Sequence, residues 1–349
     1  MKLASRCIPV GTLPYESVEA ATRMLVKFYD KLPFLAYLPK VSENDNLVHR
    51  TLEKIPGMRV KGRDVKIKVG TNSYEQGLAK LDKAFNNPDL SNLEHFAMDS
   101  VYLEKCLQMI KKLKTPNAVV NILGPFSISQ MLSNIENGEQ LLVDKAYRKL
   151  FIQAVSVKAL WAVKKIKEAC PETEPLVILE EPLLGQLGDL KRENAEITVD
   201  LIVSLFSRVI EKIKEAGASV GIQCMDKCDW QVPINAGVDL ISFDAYNNPN
   251  NLCIIPELIT EFISRGGKIN WGIVPVMDEA VVKSLNIDIV LRRLFSTMEG
   301  LILEGVPDKF VYNSAFVSVQ GDAGELPIIL AEKAIILANQ LAKRIPIRT

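Results

Sequence analysis

From residue 117 onward the chain alternates short β-branched apolar runs with long stretches in which apolar positions recur every three or four residues. That alternation is the pattern of strand and helix units wound around a parallel sheet. Six runs read as strands: residues 117–123 (NAVVNIL), 176–180 (LVILE), 219–224 (SVGIQC), 239–243 (DLISF), 268–274 (KINWGIV) and 310–314 (FVYNS). Two more are expected upstream, at 6–10 (RCIPV), which runs into Gly11, and at 34–38 (FLAYL), which stops at Pro39. Residues 58–70 (MRVKGRDVKIKVG) alternate about Lys61, Gly62, Arg63 and Asp64 and read as a β-hairpin inserted after the second strand. Helical periodicity covers 145–170, 195–216 and 328–344. Eight such units, with no polar linker or repeat to divide them, predict one domain over residues 1–349, a (β/α)8 TIM barrel with a hairpin decoration. A doubly wound open sheet is the competing architecture. No GxGxxG turn follows any of the runs, so a dinucleotide site is not expected.

Composition narrows the function classes more than the fold. Lys plus Arg (42) balance Asp plus Glu (42), so no net field favours nucleic acid or an anionic membrane. No apolar stretch approaches the length of a membrane span and the first residues carry no signal-peptide core. Six cysteines in 349 residues form no disulfide framework. A cytoplasmic protein with reduced thiols and a small-molecule substrate is expected.

In a barrel enzyme the chemistry sits where strands end, so the polar segments after each run are the places to look. The first run ends in GTLPY, which supplies Gly11, Thr12 and Tyr15 as substrate-binding candidates. The fourth ends in Glu180 and Glu181. Adjacent strand residues point to opposite faces, so one carboxylate faces the mouth while the other points outward or caps a neighbouring segment. Glu181, just before Pro182, is the candidate for the site, either holding a substrate ammonium or moving a proton. Gln223 and Met225 end the fifth run and Asp244 ends the sixth, although an Asp there can equally cap the next segment. Tyr246 lies two residues on, placed to stack on a planar ligand. Cys224 and Cys228 are weak zinc candidates, since with only His49 and His95 in the chain a four-ligand set is hard to complete.

Three of these segments, GTLPY at 11–15, EEPLL at 180–184 and ISFDAY at 241–246, resemble the catalytic barrel of cobalamin-independent methionine synthase and its single-domain relatives, which share a superfamily with uroporphyrinogen decarboxylase. The likeness spans nearly the whole chain. It implies a methyltransferase of the methionine biosynthesis type, taking a methyl group from a methylated folate or a corrinoid, the latter free or on a corrinoid protein, and passing it to a thiol held on zinc. The family's zinc ligands are a His-x-Cys after strand five, a Glu near the end of strand six and a Cys after strand eight. Aligned through Asp229 and Trp230, this chain offers Gln223 and Met225 for the first pair and Asp244 for the acid, with Asn313, Ser314, Ala315 and Phe316 around strand eight. An amide and a thioether do not replace an imidazole and a thiolate, so bound zinc is not expected. The decarboxylase grips its substrate with clustered arginines, whereas here Arg6 stands alone beside GTLPY. Two readings stay open: a methyltransferase, and a non-catalytic barrel that binds a corrinoid, a pterin or an amino acid.

Overall fold

The computed structural model describes residues 1–62, 64–133 and 141–348. The hairpin forms first in chain order, from β1 (Met58–Lys61) and β2 (Asp64–Ile67), antiparallel with Lys61 opposite Asp64. Gly62 in its turn adopts φ +61°, and Arg63, expected in the same turn, lies outside the described residues. The main sheet follows: β3 (Asn117–Leu123), β4 (Glu174–Glu180), β5 (Ser219–Cys224), β6 (Leu240–Phe243), β7 (Lys268–Val274) and β8 (Ala315–Val319), all parallel and in sequence order. It is a curled half-barrel surrounded by helices. Its strands are buried almost throughout, as a parallel sheet covered on both faces requires.

The two upstream strands are corrected to single β-bridges. Cys7 pairs with Val317, Thr12 with Tyr37, and Phe34 with Val119, each in parallel. Around each bridge the hydrogen bonds come in twos: Ile8 N–H to Val317 O (2.9 Å) and Val317 N–H to Arg6 O (2.8 Å), Leu13 N–H to Tyr37 O (3.0 Å) and Tyr37 N–H to Gly11 O (3.3 Å), Leu35 N–H to Val119 O (3.0 Å) and Val119 N–H to Pro33 O (2.8 Å). Prolines at 9, 14, 33 and 39 lack the N–H that a longer ladder needs. A buried arginine takes over part of the work: Arg50 donates to the carbonyls of Leu35 (3.1 Å) and Ala36 (2.6 Å), pairs with Asp45, and lies 4.2 Å over the Tyr37 ring.

The last strand is also moved. Residues 310–314 belong to the helix Asp308–Ser314, which starts after Pro307 at φ −56°. Asn313 there is half-exposed and donates to Arg348 O (2.7 Å), which a central strand position would forbid. The buried run AFVSV takes the strand instead, so the eighth strand ends at Val319.

The helices expected at 145–170, 195–216 and 328–344 are Lys145–Ala169, Val199–Glu215 and Ile328–Ala342. Ala162 and Ile166 of the first of these line one small cavity with Val119 and Val120 of β3 and with Leu103 and Cys106 of the helix Leu103–Leu113. Asn121 is in register with Ile178, two residues before Glu180, so alternation puts Asn121 and Glu180 on the same face. No described helix is long and apolar enough to cross a membrane.

Candidate active site at the strand C-termini

Register builds the inner face of the site. Glu180 pairs with Gln223, Gln223 with Ser242, and Ser242 with Asn270, so these four side chains line up across β4, β5, β6 and β7. Asn121 of β3 reaches the same group and donates to Glu180 Oε1 at 2.6 Å. Asn270 donates to Ser242 Oγ (2.8 Å) and Ser318 Oγ (2.9 Å), and Ser242 Oγ lies 3.5 Å from Gln223 Oε1. A polar belt thus runs from β3 to β8 through the middle of an otherwise apolar sheet. All of its members are buried.

The two adjacent glutamates divide as alternation requires. Glu180 faces the belt; burial, reinforced by the nearby Asp322 and opposed by the Asn121 amide, pushes its carboxyl up to about 8. A carboxylic acid with that value keeps its proton at neutral pH. Glu181 points the other way and caps the helix Pro125–Ser133, accepting from Phe126 N–H (3.1 Å) and Ser127 N–H (2.7 Å). Burial raises it to about 7 against those hydrogen bonds. Gly124 permits this close approach, because a Cβ there would lie 2.0 Å from Glu181 Oε1.

Asp244 also faces inward, and its carboxylate is fully engaged. Asn247 donates from its backbone (2.9 Å) and its amide (2.8 Å), and Gln320 donates from Nε2 (2.8 Å). Met225 reaches toward the loop after β8, its thioether about 4.0 Å from where a Cβ on Gly321 would stand. Gly11 and Thr12 are knitted to the same loop: Thr12 N–H donates to Asp322 Oδ1 (2.9 Å) and Ala323 N–H to Thr12 O (3.2 Å). Gly11, at φ +46°, leaves no room for a side chain, since its Cβ would fall 2.0 Å from that carboxylate oxygen.

Tyr15 and Tyr246 are placed apart from the belt. Tyr15 donates its hydroxyl to Glu332 on the helix Ile328–Ala342 (2.7 Å). The ring of Tyr246 is covered by the Arg293 guanidinium at 4.1 Å. Cys224 alternates with Gln223 and so faces outward, and its thiol lies against that of Cys228. Burial and this neighbour hold the Cys228 thiol well above its ordinary range, away from thiolate. Among the described residues no three His, Cys, Asp or Glu side chains gather in a way that would hold a metal. The zinc set of the resembling family does not fit here: Gln223 and Met225 stand at strand five, Asp244 already accepts three hydrogen bonds, and the residues after strand eight are Gln320, Gly321 and Asp322.

Asn121, Asn270, Gln320 and Asp322 were missed by the sequence reading, and Glu180 was named there but passed over in favour of Glu181. The signal for Asn121 and Asn270 was a polar residue inside an apolar run, as in NAVVNIL and KINWGIV. Gln320 and Asp322 were hidden by the misplaced last strand.

No protein-family model matches the chain, and no curated protein matches it in sequence. Among solved structures, a methyltransferase from Methanosarcina mazei matches with a TM-score of 0.51 and 11% identity, over 93% of this chain and 86% of the other. A chitobiase from Flavobacterium johnsoniae matches with a TM-score of 0.37 and 10% identity, over 98% of this chain and 52% of the other. The first likeness is one of fold.

Proposed function

We propose that this chain is a methyltransferase, working at the C-terminal mouth of one closed eight-unit barrel whose first two strands are reduced to bridges, and that its methyl donor is a methylated folate. The observation that carries the proposal is Glu180, a carboxyl that holds its proton near pH 8 at the centre of the polar belt. Removing a methyl group from the nitrogen of a reduced pterin leaves an amine anion, which departs only if it receives a proton. Glu180 supplies that proton as general acid. A corrinoid leaving group needs none, so the acid suits a folate donor better. Asn121 orients Glu180, and Asp244 with Gln320 fixes the far side of the pocket. Glu181 acts through the helix it caps and holds Gly124 and Phe126 in place. The fold shared with a protein named a methyltransferase agrees with this reading.

Full-length protein titrated with 5-methyltetrahydrofolate should bind it, and Glu180→Gln should keep that binding while slowing methyl release by about 10²-fold or more. The wild-type rate should fall as pH rises through about 8. Absence of folate binding sinks the proposal. Binding with no methyl release to any nucleophile makes the chain a non-catalytic pterin barrel.

A further inference from the structure

Three buried oxygens of the polar belt have no hydrogen-bond partner: Asn121 Oδ1, Asn270 Oδ1 and Gln320 Oε1. Their orientations follow from their neighbours. Gln320 must turn Nε2 to the Asp244 carboxylate, which only accepts, so its oxygen faces away. Asn121 likewise donates its amide to Glu180 Oε1. Asn270 donates to two serines whose own hydrogens are committed, Ser318 to Val319 O (2.8 Å) and Ser242 toward Gln223, so it too presents its oxygen. A buried acceptor left unpaired costs about 1–3 kcal/mol, and three of them on the inner face of one sheet call for hydrogen-bond donors.

We propose that the methyl acceptor is an amine, entering as its ammonium among Asn121, Glu180, Asn270 and Gln320, in place of the zinc-bound thiol of the resembling family. This rests on the methyl-transfer reading above. An ammonium brings three donors for three orphaned acceptors and a positive charge for a pocket that holds Glu180, Asp244 and the neighbouring Asp322. A thiolate has no donor and would sit as an anion among carboxyl groups, with no cation among the groups that act on Glu180 and no zinc set to lower its pKa.

The proton balance closes on one residue. The cation's charge ionises Glu180, whose proton leaves to solvent as the ammonium binds; the ammonium then gives a proton to the Glu180 carboxylate, and the amine's freed lone pair forms a bond to the donor's methyl carbon. The carbon–nitrogen bond to the pterin breaks, its electron pair stays on the pterin nitrogen, and Glu180 returns the proton there. Ammonium and methylated pterin become methylammonium and pterin amine, with charge unchanged.

The test titrates full-length protein at neutral pH with ethylammonium, ethanol and ethanethiol, probes of similar size, followed by ligand-observed NMR. Ethylammonium should bind saturably and at least about tenfold tighter than the other two. Gln320→Leu should weaken it about tenfold, and Gln320→Glu, which adds a charge at the same atom, should tighten it. The second variant keeps the result readable if the first fails to fold. Equal binding of the three probes, a preference for ethanethiol, or no ethylammonium binding while 5-methyltetrahydrofolate still binds would overturn the amine assignment. In that last case the methyl-transfer reading survives. Failure of the folate to bind, with ethylammonium bound, sinks the donor reading and leaves the amine pocket.

Discussion

Buried charge at single residues sets a pH signature for this fold. Lys158, in the middle of the helix Lys145–Ala169, is fully buried and its Nζ has no hydrogen-bond partner. Desolvation, aided by Lys54 and opposed by Glu53 and Asp99, lowers it to about 7. The unfolded chain binds a proton on this lysine up to about pH 10.4, so its burial costs most below pH 7 and the cost fades as pH rises through that window. Lys158→Met should therefore stabilise the protein by a few kcal/mol at pH 6.5 and by almost nothing near pH 10.5, read from denaturant midpoints. A variant less stable than wild type at pH 6.5 would show that the amine has a partner. Glu180 has the opposite sign: its folded value lies above the ordinary one, so the folded state keeps a proton the unfolded chain has released, and stability falls as pH rises from about 4.3 to about 8. Glu180→Gln should flatten that fall and raise stability at pH 8.5 while slowing the proposed methyl transfer, the trade expected of a buried acid kept for function. Equal slopes of stability against pH in the two proteins would refute it. Neither residue was legible in the sequence: Lys158 sits in an ordinary helical stretch, and the choice between Glu180 and Glu181 depends on strand register, which shifts every side chain to the other face for a one-residue slip.

Strands that are continuous and buried were the readable elements. Residues 117–123, 219–224 and 268–274 are strands over the predicted bounds because β-branched runs closed by polar loops leave little choice. FVYNS and AFVSV offer similar β propensity, and tertiary context decided between them: Pro307 starts a helix, and only the second run can be buried on both faces. The bridges at Cys7, Thr12 and Phe34 were read as full strands because residue composition does not show how many ladder bonds survive among the prolines. One element boundary is unusually constrained. The turn from β3 into the helix Pro125–Ser133 packs the Gly124 backbone against Glu181, and Gly124 N–H donates to Glu180 O (2.8 Å). Gly124→Ala should cost on the order of 2–3 kcal/mol by displacing the capping carboxylate, and the loss should reach the site through Glu180. Chemical denaturation measures the first effect and folate affinity the second. A shift below about 0.5 kcal/mol would mean that Glu181 can turn aside without losing its cap.

Metal content is a property of the whole molecule, because the zinc site of the resembling family draws its ligands from the ends of strands five, six and eight at once. At strand five the inward residue is Gln223, a neutral amide, and the thiols of Cys224 and Cys228 lie on the other face against each other. At strand six the Asp244 carboxylate already accepts from Asn247 and Gln320. At strand eight the chain offers Gln320 and Asp322, the latter bound to Thr12 N–H. Thiolate and imidazole ligands give zinc sites most of their strength, and here burial holds the Cys228 thiol protonated while the Asp244 carboxylate already accepts three hydrogen bonds. The purified protein should accordingly hold far less than one zinc per chain by elemental analysis, and a chelator should change neither its stability nor its affinity for 5-methyltetrahydrofolate. Close to one zinc per chain, lost on changing Cys224 or Cys228 to serine, would overturn this. It would also require the loop from Cys224 to Cys228 to turn inward over Met225, and would return the acceptor to a thiol.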